Sequence, residues 1–217
     1  MATGDTAPRP SSALTRKGAA TRARLIQAAQ CVFSERGFLQ SKITDITAAA
    51  GTANGTFYTY FDSKEQVLMA IADEVVGRFL GTLREGRSTS GDPAEVISHD
   101  NHQYVVAYRA HADIMRVIEQ AATFNNEMAV LRRSIRERFV ERAARSIRTW
   151  QAEGLCSADL TPRIVAALLV AMVDNFAYNW LSLGQPHPED EVVHAMNEIW
   201  IRALRIPKEA RTHPAQL

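Results

Sequence analysis

Apolar residues recur every three or four positions along most of the chain, which is the spacing of one face of an α-helix. The first such run begins at Thr21 and ends at Gly37, a residue type that often follows the last helical turn. Its apolar members are Leu25, Ala28, Ala29, Val32 and Phe33. The next pattern predicts two short helices over 43–50 and 54–60, separated by Gly51. The first third of the chain is therefore predicted to contain three helices.

The rest of the chain predicts six longer helices. Ser63 and Gln66 have the spacing of a capping box and start a helix that continues to Arg84. Asp92 followed by Pro93 has the pattern of a helix start, with a cap and then a proline in the first turn. The five helices from that point are expected over 94–109, 111–123, 126–153, 162–184 and 188–204. No segment alternates with a period of two, so the predicted fold class is all-α.

Charge is distributed unevenly between the two ends. The whole chain has 25 Lys and Arg against 24 Asp and Glu, a net charge of +1 that by itself argues against a nucleic-acid partner. Residues 1–64, however, hold eight basic and four acidic residues, a net of +4, whereas residues 65–217 hold 17 against 20, a net of −3. The asymmetry predicts an anionic partner for the N-terminal part only.

The cysteines and the longest apolar run bear on whether the chain is a disulfide-bonded, zinc-binding or membrane protein. Cys31 and Cys156 lie far apart, which favours neither a disulfide framework nor a zinc site, and we expect a reducing, cytoplasmic location without metal or cofactor. The apolar run 164–183 is long enough for a membrane span, but Asp174 near its middle favours a buried helix in a soluble protein.

The segment 41–64, SKITDITAAAGTANGTFYTYFDSK, carries the most informative motif. It predicts two short helices joined by a tight turn that contains glycine, the helix-turn-helix arrangement in which the second helix enters the major groove of DNA. Short side chains at the start of that helix allow close approach to the groove; they are Thr52, Ala53, Asn54, Gly55 and Thr56.

This stretch resembles the tetracycline-repressor (TetR) family of transcriptional regulators over about residues 21–70. The matching residues are Ala28-Ala29, Phe33, Gly37-Phe38, Ile46, Ala50-Gly51, Gly55-Thr56-Phe57-Tyr58, Tyr60-Phe61 and Ser63-Lys64-Glu65. Residues 1–20 are rich in Pro, Ser, Thr, Ala and Gly, a composition that predicts a disordered basic arm. Together with the resemblance, this divides the rest of the chain into a helix-turn-helix DNA-binding domain (21–66), a helical effector-binding and dimerisation domain (67–205) and a C-terminal tail (206–217). Beyond residue 70 the likeness is architectural.

The resemblance also implies DNA contacts. Thr44 would touch a base or the backbone, while Asn54, Thr56 and Thr59 would reach base edges. Phosphate or groove contacts are implied for Tyr58, Tyr60 and Lys64. Lys42 and Ala53 stand where the family usually has hydroxyl caps; the nearest replacements are Ser41 and Thr52, and Lys42 is a candidate for a phosphate contact.

In the family, a small molecule enters the helical body and changes the spacing of two DNA-binding domains in a dimer. The candidate cavity residues here are Tyr104, Tyr108, Met115, Ile118, Phe124, Met128, Phe139, Trp150, Met172, Phe176, Asn179 and Trp180. The predicted function is therefore a repressor that an apolar or amphipathic effector releases from a palindromic double-stranded operator. The last two helices, about 161–183 and 188–205, are the implied homodimer interface.

One further charge pattern and two alternative functions remain to be considered. The arginines between 132 and 148 resemble a second nucleic-acid patch, but Glu137 and Glu141 lie four residues from Arg133 and Arg145 and favour a salt-bridged helix face. A helical enzyme remains an alternative, although no GxSxG, P-loop, GxGxxG or HExxH motif is present. A DNA-binding architectural protein without a ligand response is the other alternative.

Overall fold

The computed structural model describes residues 15–84 and 91–207, and within these ranges it contains helices and no strands. The nine α-helices are α1 (Arg16–Gln40), α2 (Ile43–Ala49), α3 (Asn54–Tyr58), α4 (Lys64–Thr82), α5 (Pro93–Ala110), α6 (Ala112–Phe124), α7 (Asn126–Ala152), α8 (Pro162–Ala177) and α9 (Glu189–Ala203). A π-helical turn, Tyr178–Ser182, continues α8. The predicted all-α class is confirmed.

The first helix is longer than its apolar pattern predicted. It begins at Arg16, where the Thr15 hydroxyl accepts a hydrogen bond from the Gly18 amide at 3.2 Å. The prediction of a disordered arm is therefore wrong for residues 16–20; residues 1–14 lie outside the described ranges. Gly37 does not end the helix either. It has a φ of 75°, which favours glycine, and it kinks a helix that continues to Gln40.

The head, which we define as α1–α3 with the start of α4, is built around aromatic side chains. Phe33 and Phe57 are fully buried, and the Phe57 and Phe61 rings lie 5.7 Å apart. Arg22 on α1 lies over the Phe61 ring at 5.1 Å. Phe61 thus connects α3 to α1 indirectly, and the short helix depends on tertiary packing for its stability.

The body contains α5–α9 and most of α4, which crosses the predicted domain boundary at residue 66 as one uninterrupted helix. Near its C-terminal end, Phe79 contacts Tyr104 of α5 and Phe139 of α7, with ring centroids 5.0 and 5.2 Å apart. Helix α6 packs against α1 of the head on one side and against α7 on the other. The head and body are thus joined by α4 and by the contact between α1 and α6.

The arginines of α7 form ion pairs, but with other partners than predicted. Arg132 binds Glu119 of α6, Arg136 binds Asp174 of α8, and Arg142 binds Asp100 of α5. Glu137 and Glu141 bind Arg163 of α8 rather than the predicted arginines one turn away, and Glu141 also binds Arg148 of its own helix. The arginines are salt-bridged as predicted, and most of their pairs connect α7 to other helices.

The apolar helix at 162–182 is partly exposed in the single chain. The helix has 21 residues, and its most apolar window of 18 residues has a mean hydropathy of 1.5, with 39% of that window buried. By length and composition it is apolar enough to cross a membrane, as the core helices of soluble proteins also are. Ile164 and Leu168 are 61% and 66% exposed, which contradicts full burial within one chain. At the other end of the body, Ile206 is buried, so the predicted tail begins too early; residues 208–217 lie outside the described ranges.

Candidate DNA-binding surface and effector cavity

The turn between α2 and α3 has the geometry of a helix-turn-helix. Gly51 has a φ of 61°, a conformation that side chains with a Cβ rarely adopt, and it allows the chain to reverse within four residues. The Thr47 hydroxyl on α2 donates to the Asn54 side-chain oxygen at the start of α3. Thr47 is almost fully buried, so this hydrogen bond ties the two short helices together beneath the surface. The sequence patterns did not single out Thr47.

The predicted replacement caps are wrong. Ser41 is buried, and its hydroxyl donates to the Gly37 carbonyl at 2.6 Å, so it closes the end of α1 instead of capping α2. Asp45 takes the capping role at α2, because its carboxylate accepts the Lys42 amide at 3.0 Å. Thr52 caps nothing: its buried hydroxyl oxygen has no hydrogen-bond partner among the described residues, and α3 begins without a side-chain cap at Ala53.

The residues predicted to contact DNA differ in exposure. Those classed as exposed are Lys42, Thr44, Ala53, Asn54, Gly55, Tyr58 and Thr59. Tyr58 is the most prominent, with 57% of its surface exposed. The half-buried members are Thr52, Thr56, Tyr60 and Lys64, and Tyr60 packs against the core.

Lys64 has a structural role that its motif did not indicate. Its ammonium donates to the carbonyls of Phe38 at 2.9 Å and Ser41 at 3.3 Å, and it lies 4.5 Å from the centre of the Phe38 ring. It therefore pins the start of α4 to the end of α1. One of its three N–H groups is left for a phosphate.

Lys64→Ala is expected to lower the free energy of unfolding by about 2 kcal/mol, because two charge-assisted hydrogen bonds and a cation–π contact are lost. Lys42→Ala is the matched control, since Lys42 is an exposed lysine of the same motif. That control should keep the parental stability and lower the salt slope of DNA binding by about one unit. Urea titrations and salt-dependent DNA titrations measure both quantities. Parental stability in Lys64→Ala, with a salt slope reduced by one unit, would show a phosphate contact only.

The body encloses two neighbouring cavities. The first, which we call the Trp200 cavity, has about 70 Å³ of free volume, and its walls include Tyr104, Phe139, Trp150, Val173 and Trp200. The second, the Met115 cavity, has about 20 Å³ and is lined by Met115 and Ile118 of α6. Tyr104, Phe139 and Val170 line both cavities and form the partition between them.

Five of the twelve predicted effector residues line these cavities: Tyr104, Met115, Ile118, Phe139 and Trp150. Tyr108 lines neither cavity, although its ring lies 5.9 Å from that of Tyr104. Met172 and Phe176 line a different space, an open groove of about 290 Å³ between α8 and α9, here called the α8–α9 groove.

The other four predicted positions are not at a cavity. Phe124 is 70% exposed at the end of α6, and Met128 is fully buried in packed core. Asn179 hydrogen-bonds within its own helix to Asn175, and Trp180 packs beneath Arg109 at 5.5 Å. An apolar or amide side chain at helical spacing does not distinguish core, cavity and surface, which explains these errors.

The polar groups of the cavities were missed by the sequence patterns. Asp174 accepts the Tyr104 hydroxyl at 3.3 Å and the Arg136 guanidinium at 2.5 Å. On the Trp200 cavity, Arg142 donates to both carboxylate oxygens of Asp100 at 2.9 Å. These partners are 38 to 70 residues apart in the chain, so no local pattern connects them.

Burial strongly perturbs the two tyrosines of α5. Loss of hydration on burial raises the pKa of Tyr104 well above its usual value, and the nearby Asp174 carboxylate raises it further. Burial also raises the pKa of Tyr108, although a hydrogen bond with Ser182 opposes the shift. Both phenols are therefore neutral hydrogen-bonding groups at physiological pH. Within the described residues, no cluster of three or more potential metal ligands is present.

Comparison with known proteins agrees with this architecture. Residues 25–71 match the model of bacterial regulatory proteins of the tetR family, and residues 99–205 match the model of the C-terminal domain of the transcriptional regulator EthR. The chain is 43% identical over 61 residues to YvdT of Bacillus subtilis, an uncharacterized HTH-type transcriptional regulator; the match covers 28% of this chain and only 31% of YvdT. It is 23% identical over 184 residues to EthR of Mycobacterium tuberculosis, covering 83% of this chain and 85% of EthR.

A solved structure extends the likeness over the whole fold. FadR from Bacillus subtilis, a transcriptional regulator solved in complex with stearoyl-CoA, superimposes with a TM-score of 0.72 at 20% identity, covering 83% of this chain and 98% of FadR. The fold and the helix-turn-helix define a DNA-binding transcriptional regulator with a separate helical body. The chain belongs to the TetR family. Its relatives are regulators, and the chain is not an enzyme.

Proposed function

We propose that this protein is a cytoplasmic repressor that binds a palindromic operator as a homodimer and is released when an apolar or amphipathic small molecule occupies its body. The observation that carries the proposal is the position of α6. This helix lines the Met115 cavity and also packs against α1 of the head. A change in the cavity therefore has a direct physical route to the DNA-binding domain.

The proposed DNA contacts are the exposed and half-buried side chains around α3 and the start of α2. Asn54 and Thr56 are positioned at the start of the recognition helix, where base edges come within reach. The side-chain oxygen of Asn54 already accepts the Thr47 hydroxyl, so Asn54 both braces the motif and offers its amide N–H groups to a base. The net charge of +4 over residues 1–64 supports binding to a polyanion.

A homodimer through α8 and α9 would cover the exposed apolar surface of the body. Ile164 and Leu168 on α8 and Ile199 on α9 are 61%, 66% and 45% exposed. The α8–α9 groove lies between these helices and is lined largely by apolar side chains such as Met172 and Phe176. A two-fold dimer buries such a self-complementary patch, and it would set two heads about 34–36 Å apart for successive major grooves.

The effector proposal follows from the partition between the cavities. A molecule larger than the free volume of the Trp200 cavity must displace Tyr104 or Phe139, and both side chains also border the Met115 cavity on α6. The first turn of α6 is tied to α1, because the Ser34 hydroxyl donates to the Asp113 carboxylate. Displacement of α6 would therefore reposition α1 and the head. The stearoyl-CoA bound by FadR is amphipathic, which supports a ligand of this class for the body.

The test begins with selection of operator DNA from a random library, followed by fluorescence anisotropy with the selected duplex and a scrambled control. We expect a palindromic site bound by two subunits. Stearoyl-CoA, methyl dodecanoate and benzophenone serve as effector probes, and at least one should lower operator affinity by roughly fivefold or more, the usual scale of allosteric coupling. Equal affinity for the scrambled duplex would reject operator recognition. Unchanged affinity with every probe would reject release by an apolar effector.

A further inference from the structure

One wall of the Trp200 cavity carries a hydrogen-bond donor that none of the described residues satisfies. Trp200 of α9 lines the cavity, and its indole Nε1 atom is buried without a hydrogen-bond partner among the described residues, 15–84 and 91–207. A buried donor without an acceptor is costly and uncommon in folded proteins, so its persistence beside a cavity calls for a partner. Such a partner must supply an acceptor atom from within the cavity.

The ionic groups of the same cavity already neutralise each other. Arg142 contacts both oxygens of Asp100 at 2.9 Å and also donates to the Leu83 carbonyl at 2.7 Å. An anionic ligand would meet the Asp100 carboxylate, and a cation would meet the Arg142 guanidinium. Burial of an ion without its own counter-charge is strongly unfavourable. The electrostatics of the wall therefore favour an uncharged ligand.

Most of the remaining wall is apolar and rich in aromatic rings. It also includes two uncharged polar side chains, Asn101, which donates to Asn197 at 2.9 Å, and Ser146, which donates to the Arg142 carbonyl at 3.5 Å. Tyr104, Phe139 and Trp150 are each at least nine-tenths buried, and Val173 of α8 lies on the same wall. The Tyr104 hydroxyl is directed to Asp174, so it does not compete for the acceptor that Trp200 lacks. Apolar cavities with a few placed polar groups are typical small-molecule sites.

We infer that the Trp200 cavity binds an uncharged molecule whose carbonyl oxygen accepts the indole N–H of Trp200 while its apolar part lies against Tyr104, Phe139 and Trp150. Ketones, esters and amides share this chemistry. The inference rests on the proposed effector role of the body and specifies which ligands that role admits. It assigns Trp200, a residue absent from the predicted effector set, as the group that distinguishes a carbonyl compound from a hydrocarbon of the same shape.

The test uses three matched pairs of probes: benzophenone with diphenylmethane, acetophenone with ethylbenzene, and 2-tridecanone with tridecane. In the full-length protein without DNA, calorimetry should show at least one ketone binding roughly fivefold to tenfold more tightly than its hydrocarbon, the contribution of one neutral hydrogen bond. In Trp200→Phe this preference should disappear while the hydrocarbon affinity remains. 4-Benzoylbenzoate, the anionic counterpart of benzophenone, should bind more weakly than benzophenone.

A spectroscopic measurement tests the contact without depending on the stability of a variant. The chain has three tryptophans, so the ¹⁵N-labelled protein should show three indole N–H resonances. One of them should move downfield with the preferred ketone and stay in place with its hydrocarbon; the resonance lost in Trp200→Phe identifies it. The inference is overturned if no pair shows a preference for the ketone. It is also overturned if a ketone is preferred but all three indole resonances stay in place, which is the result expected when Trp200 binds a water molecule instead. Ketone binding through Trp200 that leaves operator affinity unchanged would reject the proposed release mechanism and leave the inference standing.

Discussion

Ile199→Glu is expected to convert the proposed dimer into monomers and to lower operator affinity by at least a hundredfold. Ile199 is 45% exposed on α9, on the proposed two-fold interface with Leu168 of α8. Because the symmetry presents the same patch twice, one substitution places two carboxylates in an apolar contact. Burying them without counter-charges would raise the dimer dissociation constant by roughly a thousandfold. Separate heads would also lose the gain from simultaneous binding, which is roughly 10²–10⁴.

Val106→Glu is the matched control for this experiment. Val106 has the same exposure, 45%, but it lies on α5 and belongs to neither α8 nor α9. The control should remain dimeric in sedimentation at micromolar concentration and should bind the operator like the parent. A dimeric Ile199→Glu variant with parental DNA affinity would place the interface elsewhere on the body.

A steep loss of stability above pH 10 is the second large effect that we expect. Burial raises the pKa values of Tyr104 and Tyr108 in the folded protein, whereas the unfolded chain ionises its phenols near pH 10. Both phenols thus retain their protons in the folded state at a pH where the unfolded state releases them. Their contribution to stability is complete below pH 10 and is lost as the pH rises toward the folded values. Two such groups reduce the free energy of unfolding by about 3 kcal/mol per pH unit in this range.

Phenolate absorbance at 295 nm, with circular dichroism on the same samples, measures this effect. Of the five tyrosines in the chain, two should ionise only when the helical signal is lost. Tyr108→Phe should reduce the steepness of the stability loss, whereas Tyr58→Phe should not, because Tyr58 is 57% exposed. Ionisation of all five phenols in a chain that keeps its full helical signal would contradict the buried environment of α5.

The helical pattern of the sequence predicted most of the fold because helix signals are local. Asp92 caps α5 as expected, with its carboxylate accepting the Ala94 amide at 2.8 Å. Errors arose where two elements compete for one side chain. Ser41 is of a residue type that often caps helices and precedes α2, yet its hydroxyl donates to the Gly37 carbonyl near the end of α1. The capping propensity of a residue type indicates which hydrogen bonds its side chain can make, and tertiary packing decides which neighbouring group accepts them.

For the DNA-binding motif, the sequence by itself determined the helix-turn-helix and the residues at the start of α3, because their spacing and small size are local properties. Only the tertiary structure decided that Lys64 is held by the end of α1 and that Thr47 braces Asn54. In the body, the difference between what the sequence determined and what only the tertiary structure decided is larger. The helices of the body could be predicted from the chain. The pairing of Arg136 with Asp174 could not, nor could the burial of the Trp200 indole without a partner in the described part of the chain. Helices form from neighbours in sequence, whereas a cavity is bounded by residues from several helices that only packing brings together.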